Sequence, residues 1–364
     1  MDVVFTLGER NKKWINKCKL KSKIIYSVLG LLLACSFLSL KKAEYFVFYE
    51  DFIVPKGWPK PVYDFKENKL SKEGFELGRK LFYDPILSRD STISCSSCHS
   101  QYTGFAHTDH ALSHGIEGRI GTRNAMSLVN LAWTKSFHWD GGVLNLNSQP
   151  INPITNSQEM DNPLKNALGN LNQSQKYKGM FYNVFGDSLI NTKNLLKAIA
   201  QFTVSLQSSN SKYDKVMRHE KEVFFTDQEE NGHQLFKKNC ESCHKEPLLT
   251  NSDFADNGLP IDADYKDFGR VKITQNPKDS FNFRVPTLRN IEFTYPYMHD
   301  GRFMKLREVI NFYTDGKVHR KTLAKELQKP ILLSENEKKD LIAFLLTLTD
   351  KEFLFNSKYS YLKD

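Results

Sequence analysis

Long apolar runs are almost absent from this chain of 364 residues. One run, Ile24 to Leu40, approaches the length a bilayer demands, which excludes a polytopic membrane protein. Glycine (19) and proline (13) are too few for a fibrous or low-complexity chain. Disorder is excluded from the other side, because 26 Phe, 15 Tyr and 4 Trp supply a heavy aromatic load for burial. Acidic residues are outnumbered 42 to 51, a formal net charge of +9. Such a surplus suits nucleic acid, an anionic membrane surface or an acidic protein partner, and its position in the chain decides between them. The length exceeds what one ordinary core needs and points to one large domain or two of roughly 150–200 residues.

Much of the basic surplus sits at the start. Arg10, Lys12, Lys13, Lys17, Lys19, Lys21 and Lys23 face only Asp2 and Glu9 in the first 35 positions, so that segment carries +5 of the +9. The apolar run follows at once and is bounded by Lys41 and Lys42, the pattern of an export signal. Leu32-Leu33-Ala34-Cys35 resembles the lipobox of bacterial lipoproteins, in which the cysteine is lipidated. The alternative is an uncleaved anchor helix, since 17 residues is near the lower limit for spanning. Either way the bulk of the chain is expected outside the cytoplasm, as a periplasmic, membrane-anchored lipoprotein.

Six cysteines can be assigned without any disulfide. Cys18 belongs to the basic segment and Cys35 to the lipobox. The other four form two pairs, each followed directly by histidine: Cys95-Ser-Ser-Cys98-His99 and Cys240-Glu-Ser-Cys243-His244. C-x-x-C-H is the attachment signal of a c-type haem. On a helical turn positions i, i+3 and i+4 share one face, so two thiols can reach the vinyl groups while the imidazole reaches the iron. A zinc site is the competing use of four thiolates. Zinc ribbons place their pairs about 15–20 residues apart, whereas these begin 145 positions apart, and zinc would leave both histidines without a role.

An internal duplication accompanies the motifs. Gly78-Arg-Lys-Leu-Phe82 precedes the first and Gly232-His-Gln-Leu-Phe236 the second, each in a helical stretch leading to its haem loop. Thr226-x-x-Glu229 and Ser334-x-x-Glu337 read as capping boxes. Helices are expected over 72–82, 162–172, 192–207, 306–313 and 335–348, with residues 100–160 dominated by loops of functional content. The fold expected is mainly α: two c-type cytochrome domains, each binding one covalent haem, with long loops between helices. The boundaries read as an export segment at 1–35, a linker at 36–65, an N-terminal domain at 66–224 with the first haem, and a C-terminal domain at 225–355 with the second haem.

The chain resembles the bacterial dihaem cytochrome c peroxidase family, including its MauG-type branch. The resemblance rests on Leu77-Gly-Arg-Lys-Leu-Phe-Tyr-Asp84, Leu87-Ser-Arg-Asp90, Gly104-Phe105, Arg123-Asn124, Trp139-Asp-Gly141, Gln158-Glu-Met160, Pro286-Thr-Leu-Arg-Asn290 and Pro296-Tyr-Met-His-Asp-Gly301. It implies His99 and His244 as proximal iron ligands, Glu159 as the distal acid and base, and Gln149 and Pro153 lining the same distal pocket. Trp139 is implied as an electron relay between the haems; His138 stands before it where relatives usually carry another aromatic. A calcium ion is implied too, held by the Asn124 side chain and the carbonyls of Thr294 and Pro296.

Two departures from the peroxidase branch stand out. Ile116 occupies the place of a distal histidine, with His107, His110 and His114 nearby as ordinary solvated loop residues, so the first haem is expected to be open without reductive activation. Tyr313 occupies the place of the methionine that ligates the second haem, which is the MauG-type arrangement; Met298 and Met304 remain alternatives. The function expected is reduction of hydrogen peroxide to water with electrons from a small cytochrome c or copper protein (cupredoxin). A MauG-type oxidase acting on a protein partner and a non-catalytic dihaem electron carrier are the competing readings, and homodimers are common in the family. Without residues 1–35 the charge falls to +4, and two haems would add about four propionate negatives against roughly one net positive per ferric centre, so nucleic acid is not expected as a partner.

Overall fold

The computed structural model describes residues 52–361; the export segment, Cys18 and Cys35 lie outside the described residues. No helix among the described residues is long and apolar enough to cross a membrane. In chain order the helices are α1 (Lys72–Tyr83), α2 (Cys95–Cys98), α3 (Ile151–Thr155), α4 (Leu164–Gln173), α5 (Gln175–Phe185), α6 (Thr192–Val204), α7 (Lys212–Met217), α8 (Asp227–Asn239), α9 (Val271–Thr274), α10 (Leu306–Asn311), α11 (Glu335–Leu346) and α12 (Lys351–Leu354). A two-residue antiparallel ladder joins β1 (Phe254–Ala255) to β2 (Phe283–Arg284). The molecule is mainly helical, and residues 100–150 contain only short single turns between loops.

Caps explain where the long helices start. Ser71 accepts from Gly74 N ahead of α1, and Thr226/Glu229 and Ser334/Glu337 form the expected capping boxes of α8 and α11. The short helices α3, α7, α9 and α12 lie outside the expected spans, and two further elements differ as well. α5 was not anticipated, because Gln175, Lys176, Lys178 and Asn183 dilute its apolar period, although Ser174 caps it and Gly186 ends it in the left-handed region at φ +72°. α10 stops at Asn311, and residues 312–316 widen into a π turn that carries Tyr313.

The duplication in sequence is a duplication in packing. α1 crosses α6, and α8 crosses α11. At each crossing the repeat glycine is where the backbones meet: a Cβ on Gly78 would stand 2.1 Å from Ala198 O, and one on Gly232 only 2.0 Å from Asp340 O. Leu77, Leu81, Leu195 and Ile199 fill the first seam, and Phe236, Leu341 and Phe344 the second.

Packing also crosses the expected boundaries. Within the span expected as linker, Phe52 and Phe65 are buried against Trp133 and Phe137, because aromatic side chains this close to the core gain more from burial than from water. At the other end Phe353, Leu354 and Tyr359 join Phe75, Phe82, Phe105 and Phe202 in the core of the N-terminal half. Arg79 donates to Lys358 O at 2.5 Å and Tyr83 Oη to Tyr359 O at 2.8 Å, fastening that return.

Candidate active site

Each C-x-x-C-H motif is a single tight turn. α2 is the first motif itself, and His99 N donates to Cys95 O at 2.9 Å; in the second, Cys240 caps α8 and His244 N donates to Cys240 O at 2.9 Å. All four thiols are unbridged. Burial pushes Cys95 and Cys240 up to about 12, so they stay neutral thiols.

Both histidines are oriented by their Nδ1. His99 Nδ1 lies 2.8 Å from Phe105 O, and His244 Nδ1 lies 3.1 Å from Pro286 O. Donation to a carbonyl fixes the tautomer and leaves Nε2 as the free lone pair, the arrangement a metal-bound imidazole requires. Burial moves both rings down to about 4, which keeps them neutral near pH 7. The Pro286–Asn290 stretch thereby acquires a physical role. Besides Pro286, its Arg289 donates to Pro247 O and pairs twice with Asp214 at 2.9 Å, fully buried, and Thr287 Oγ1 donates to Leu248 O. The loop after His244 is thus held from one side by this single segment. Sequence reasoning had no role for Arg289 or Asp214.

A cavity of about 250 Å³ opens beside the second motif, lined by Cys240, Cys243 and His244 and, among others, by Tyr313 and Met298. Asn257 Nδ2 approaches both Tyr313 Oη (3.4 Å) and Met298 Sδ (3.5 Å), so the two side chains converge. Burial pushes the Tyr313 phenol up to about 12. Met304, by contrast, is half exposed and is not part of this lining. Arg284 also lines the cavity; it is buried, contacts Met126 Sδ and His138 O, and makes no described bond to a carboxylate. A buried guanidinium in that state calls for an anion. Paired thiols, an oriented imidazole, an apolar cavity and an unpaired Arg284 together fit a covalent haem with its propionates.

Near the first motif, Pro153 lies in α3 and Glu159 just beyond it. Glu159 follows α3, where Pro153 O accepts from Met160 N at 3.1 Å. It lies close enough to act electrostatically on both Cys95 and Cys98. Burial raises the Glu159 carboxyl above the ordinary carboxylate range, opposed by a 2.8 Å hydrogen bond from Asn156 Nδ2. Gln149 donates through its backbone to Leu146 O in the turn before α3 and is half-buried. Ile116 is fully buried, its N–H bound to Glu159 O at 2.9 Å, so an apolar side chain stands next to the Glu159 backbone. Thiols, an oriented imidazole and a half-buried carboxyl fit a haem here too.

Trp139 is buried in the wall of the cavity beside the second motif. Its Nε1 donates to Asn124 O at 2.9 Å and its ring is edge-on to His299 at 6.4 Å. Asn152 Nδ2 sits 3.3 Å from His138 Nε2, which ties α3 and the distal turn to the residue next to Trp139. Asn124, Thr294 and Pro296 line the same cavity; Asn124 Nδ2 donates to Ala111 O at 3.0 Å, leaving the amide oxygen for a cation.

The Di-haem cytochrome c peroxidase family model matches residues 72–222, and a Cytochrome c model matches 229–349. Cytochrome c551 peroxidase of Nitrosomonas europaea is 35% identical over 278 residues, covering 75% of this chain and 79% of that protein. The chain belongs to the di-haem cytochrome c peroxidase family. Methylamine utilization protein MauG of Methylophilus methylotrophus is 32% identical, covering 82% of this chain and 88% of the relative. Among solved structures, a MauG-like protein associated with microbial copper homeostasis superposes with a TM-score of 0.77 at 32% identity, over 84% of this chain and 97% of that one. The family thus contains both peroxidases and MauG-type proteins, and its two cytochrome c-type domains imply two covalent haems.

Proposed function

We propose that the protein reduces hydrogen peroxide to water, H2O2 with two electrons and two protons giving two waters, on the Cys95/Cys98/His99 side. Electrons enter one at a time on the Cys240/Cys243/His244 side from a small cytochrome c or cupredoxin. The haems, when bound, would supply iron that changes oxidation state. Glu159 supports this reading best: a half-buried carboxyl with a raised pKa beside the first motif is suited to take a proton from one peroxide oxygen and return it to the other, which leaves as water. Pro153 and Gln149 border that pocket, and Trp139 offers an oxidisable indole on the route between the motifs. A calcium ion at Asn124, Thr294 and Pro296 would stiffen the same region. The basic start and lipobox at Cys35 support a periplasmic lipoprotein, and a homodimer follows the habit of the family.

Peroxide-dependent oxidation of reduced cytochrome c by the purified holoprotein tests the reading. Glu159→Gln, with both haems retained, is expected to lower kcat by about 10²–10⁴-fold; unchanged turnover would remove Glu159 from the mechanism.

The MauG-type alternative, an oxidase acting on a protein partner, is supported by Tyr313 in the lining of the cavity beside the second motif. A phenolate ligand lowers the potential of ferric haem, whereas a thioether raises it. The second haem of Tyr313→Met is therefore expected to have a higher reduction potential, and an unchanged potential would take Tyr313 off the iron.

A further inference from the structure

Neither cofactor site uses the imidazoles of the loop that follows the first haem motif, although His114 O accepts from Cys98 Sγ at 3.2 Å. His107, His110 and His114 form one cluster. His107 Nε2 lies 3.4 Å from His110 Nδ1, and the ring centroids are 4.2 Å (His110/His114), 5.6 Å (His107/His110) and 6.3 Å (His107/His114) apart. We propose that these three imidazoles form a binding site for a divalent transition-metal ion of the imidazole-preferring class, Cu²⁺ or Zn²⁺, distinct from both haem irons.

Distances argue for it first. Two nitrogens bound tetrahedrally at about 2.0–2.1 Å stand roughly 3.4 Å from each other, and the centroids of their rings about 5 Å apart. The His107/His110 pair already has that bite. Among the described residues no group of three or more His, Cys, Asp or Glu side chains is already placed to hold a metal ion; binding by all three imidazoles therefore requires the His114 ring to turn toward the His107/His110 pair.

The backbone beneath the cluster is pinned. Bridges Ser100/Ala106 and His114/Ile120 close the loop at both ends. At its middle, Ala111 O accepts from Asn124 Nδ2 at 3.0 Å and lies so near Gly301 that a Cβ there would come within 2.2 Å. Three imidazoles on a fixed loop lose little conformational freedom on binding, which favours a site over a random surface cluster. Access is open, since His110 is exposed and the other two are half-exposed. Asp109 lies near enough to act on the charge of His107 and adds a negative field that favours a cation. All-imidazole donors suit copper and zinc rather than calcium or magnesium, and copper is expected to bind the more tightly of the two.

The test uses the purified dihaem protein, dialysed against a chelator and then titrated calorimetrically with ZnCl2 and, separately, followed by EPR with CuCl2. One equivalent is expected to bind, with copper tighter than zinc and nitrogen hyperfine structure on the copper signal. His110→Gln, the most exposed of the three, is expected to weaken binding by at least about 10–100-fold, the loss typical of disturbing even an outer-shell partner, while leaving both haem spectra unchanged. The proposal is overturned if the triple variant His107→Gln/His110→Gln/His114→Gln binds either ion as tightly as the parent, if His110→Gln alone changes nothing, or if the bound copper shows only oxygen ligands.

Discussion

Glu159 shows how much of the chemistry is a property of one residue in one environment. A lone glutamate in a loop is ordinarily solvated and ionised. Here burial raises its pKa, and the Asn156 amide pulls it back. The base form is complete only above the raised pKa, so kcat/KM for peroxide should fall as pH drops through a limb lying above the usual carboxylate range. Asn156→Ala removes the lowering hydrogen bond and is expected to move that limb to higher pH, which a pH profile of the two proteins will check; an unmoved limb would mean another group titrates. Because burial disfavours the charged form, Glu159→Gln should melt at the same temperature as the parent or slightly higher at pH 7. That combination, lower activity without lower stability, separates a catalytic role from a structural one.

At the level of elements, the repeat glycines set the geometry of both halves. Gly78 and Gly232 each sit where a partner helix presents a carbonyl at about 2 Å from any added Cβ. Backbone oxygen cannot move aside as a flexible side chain can, so Gly78→Ala or Gly232→Ala must push the helices apart. Overpacking of this kind costs typically 1–3 kcal/mol. Denaturant unfolding of each variant is expected to report a loss of that size, with full stability in either variant refuting the close crossing. The motifs that flank these helices serve the same end: Pro286 orients His244 while Arg289 and Thr287 hold the following loop, and Phe105 orients His99.

On the scale of the whole molecule, the last described residues belong to the first half. Phe353, Leu354 and Tyr359 complete the core around Phe82 and Phe202, and Gln101, two positions beyond His99, donates to Asn356 O at 2.8 Å. Deleting residues 350–364 should therefore reduce haem incorporation at Cys95/Cys98 more than at Cys240/Cys243. Peptide mapping of covalent haem checks this, and equal loss at both motifs would show that the tail supports the fold as a whole.

Covalent attachment needs two thiols and an imidazole at fixed local spacing, and helix starts need a cap at fixed offset; both are short-range patterns, which is why the two haem motifs, α1, α6, α8 and α11 were legible residue by residue. α5 was not, because its buried face is only Tyr177 and Phe181 among polar neighbours. Other features depend on segments far apart in the chain: the pairing of Asp214 with Arg289, the unpaired Arg284 in the cavity wall, the convergence of Tyr313 and Met298 on Asn257, and the tail's return to the N-terminal core. Burial and long-range contact shift charges and complete cavities, and neither is written in any local stretch of sequence.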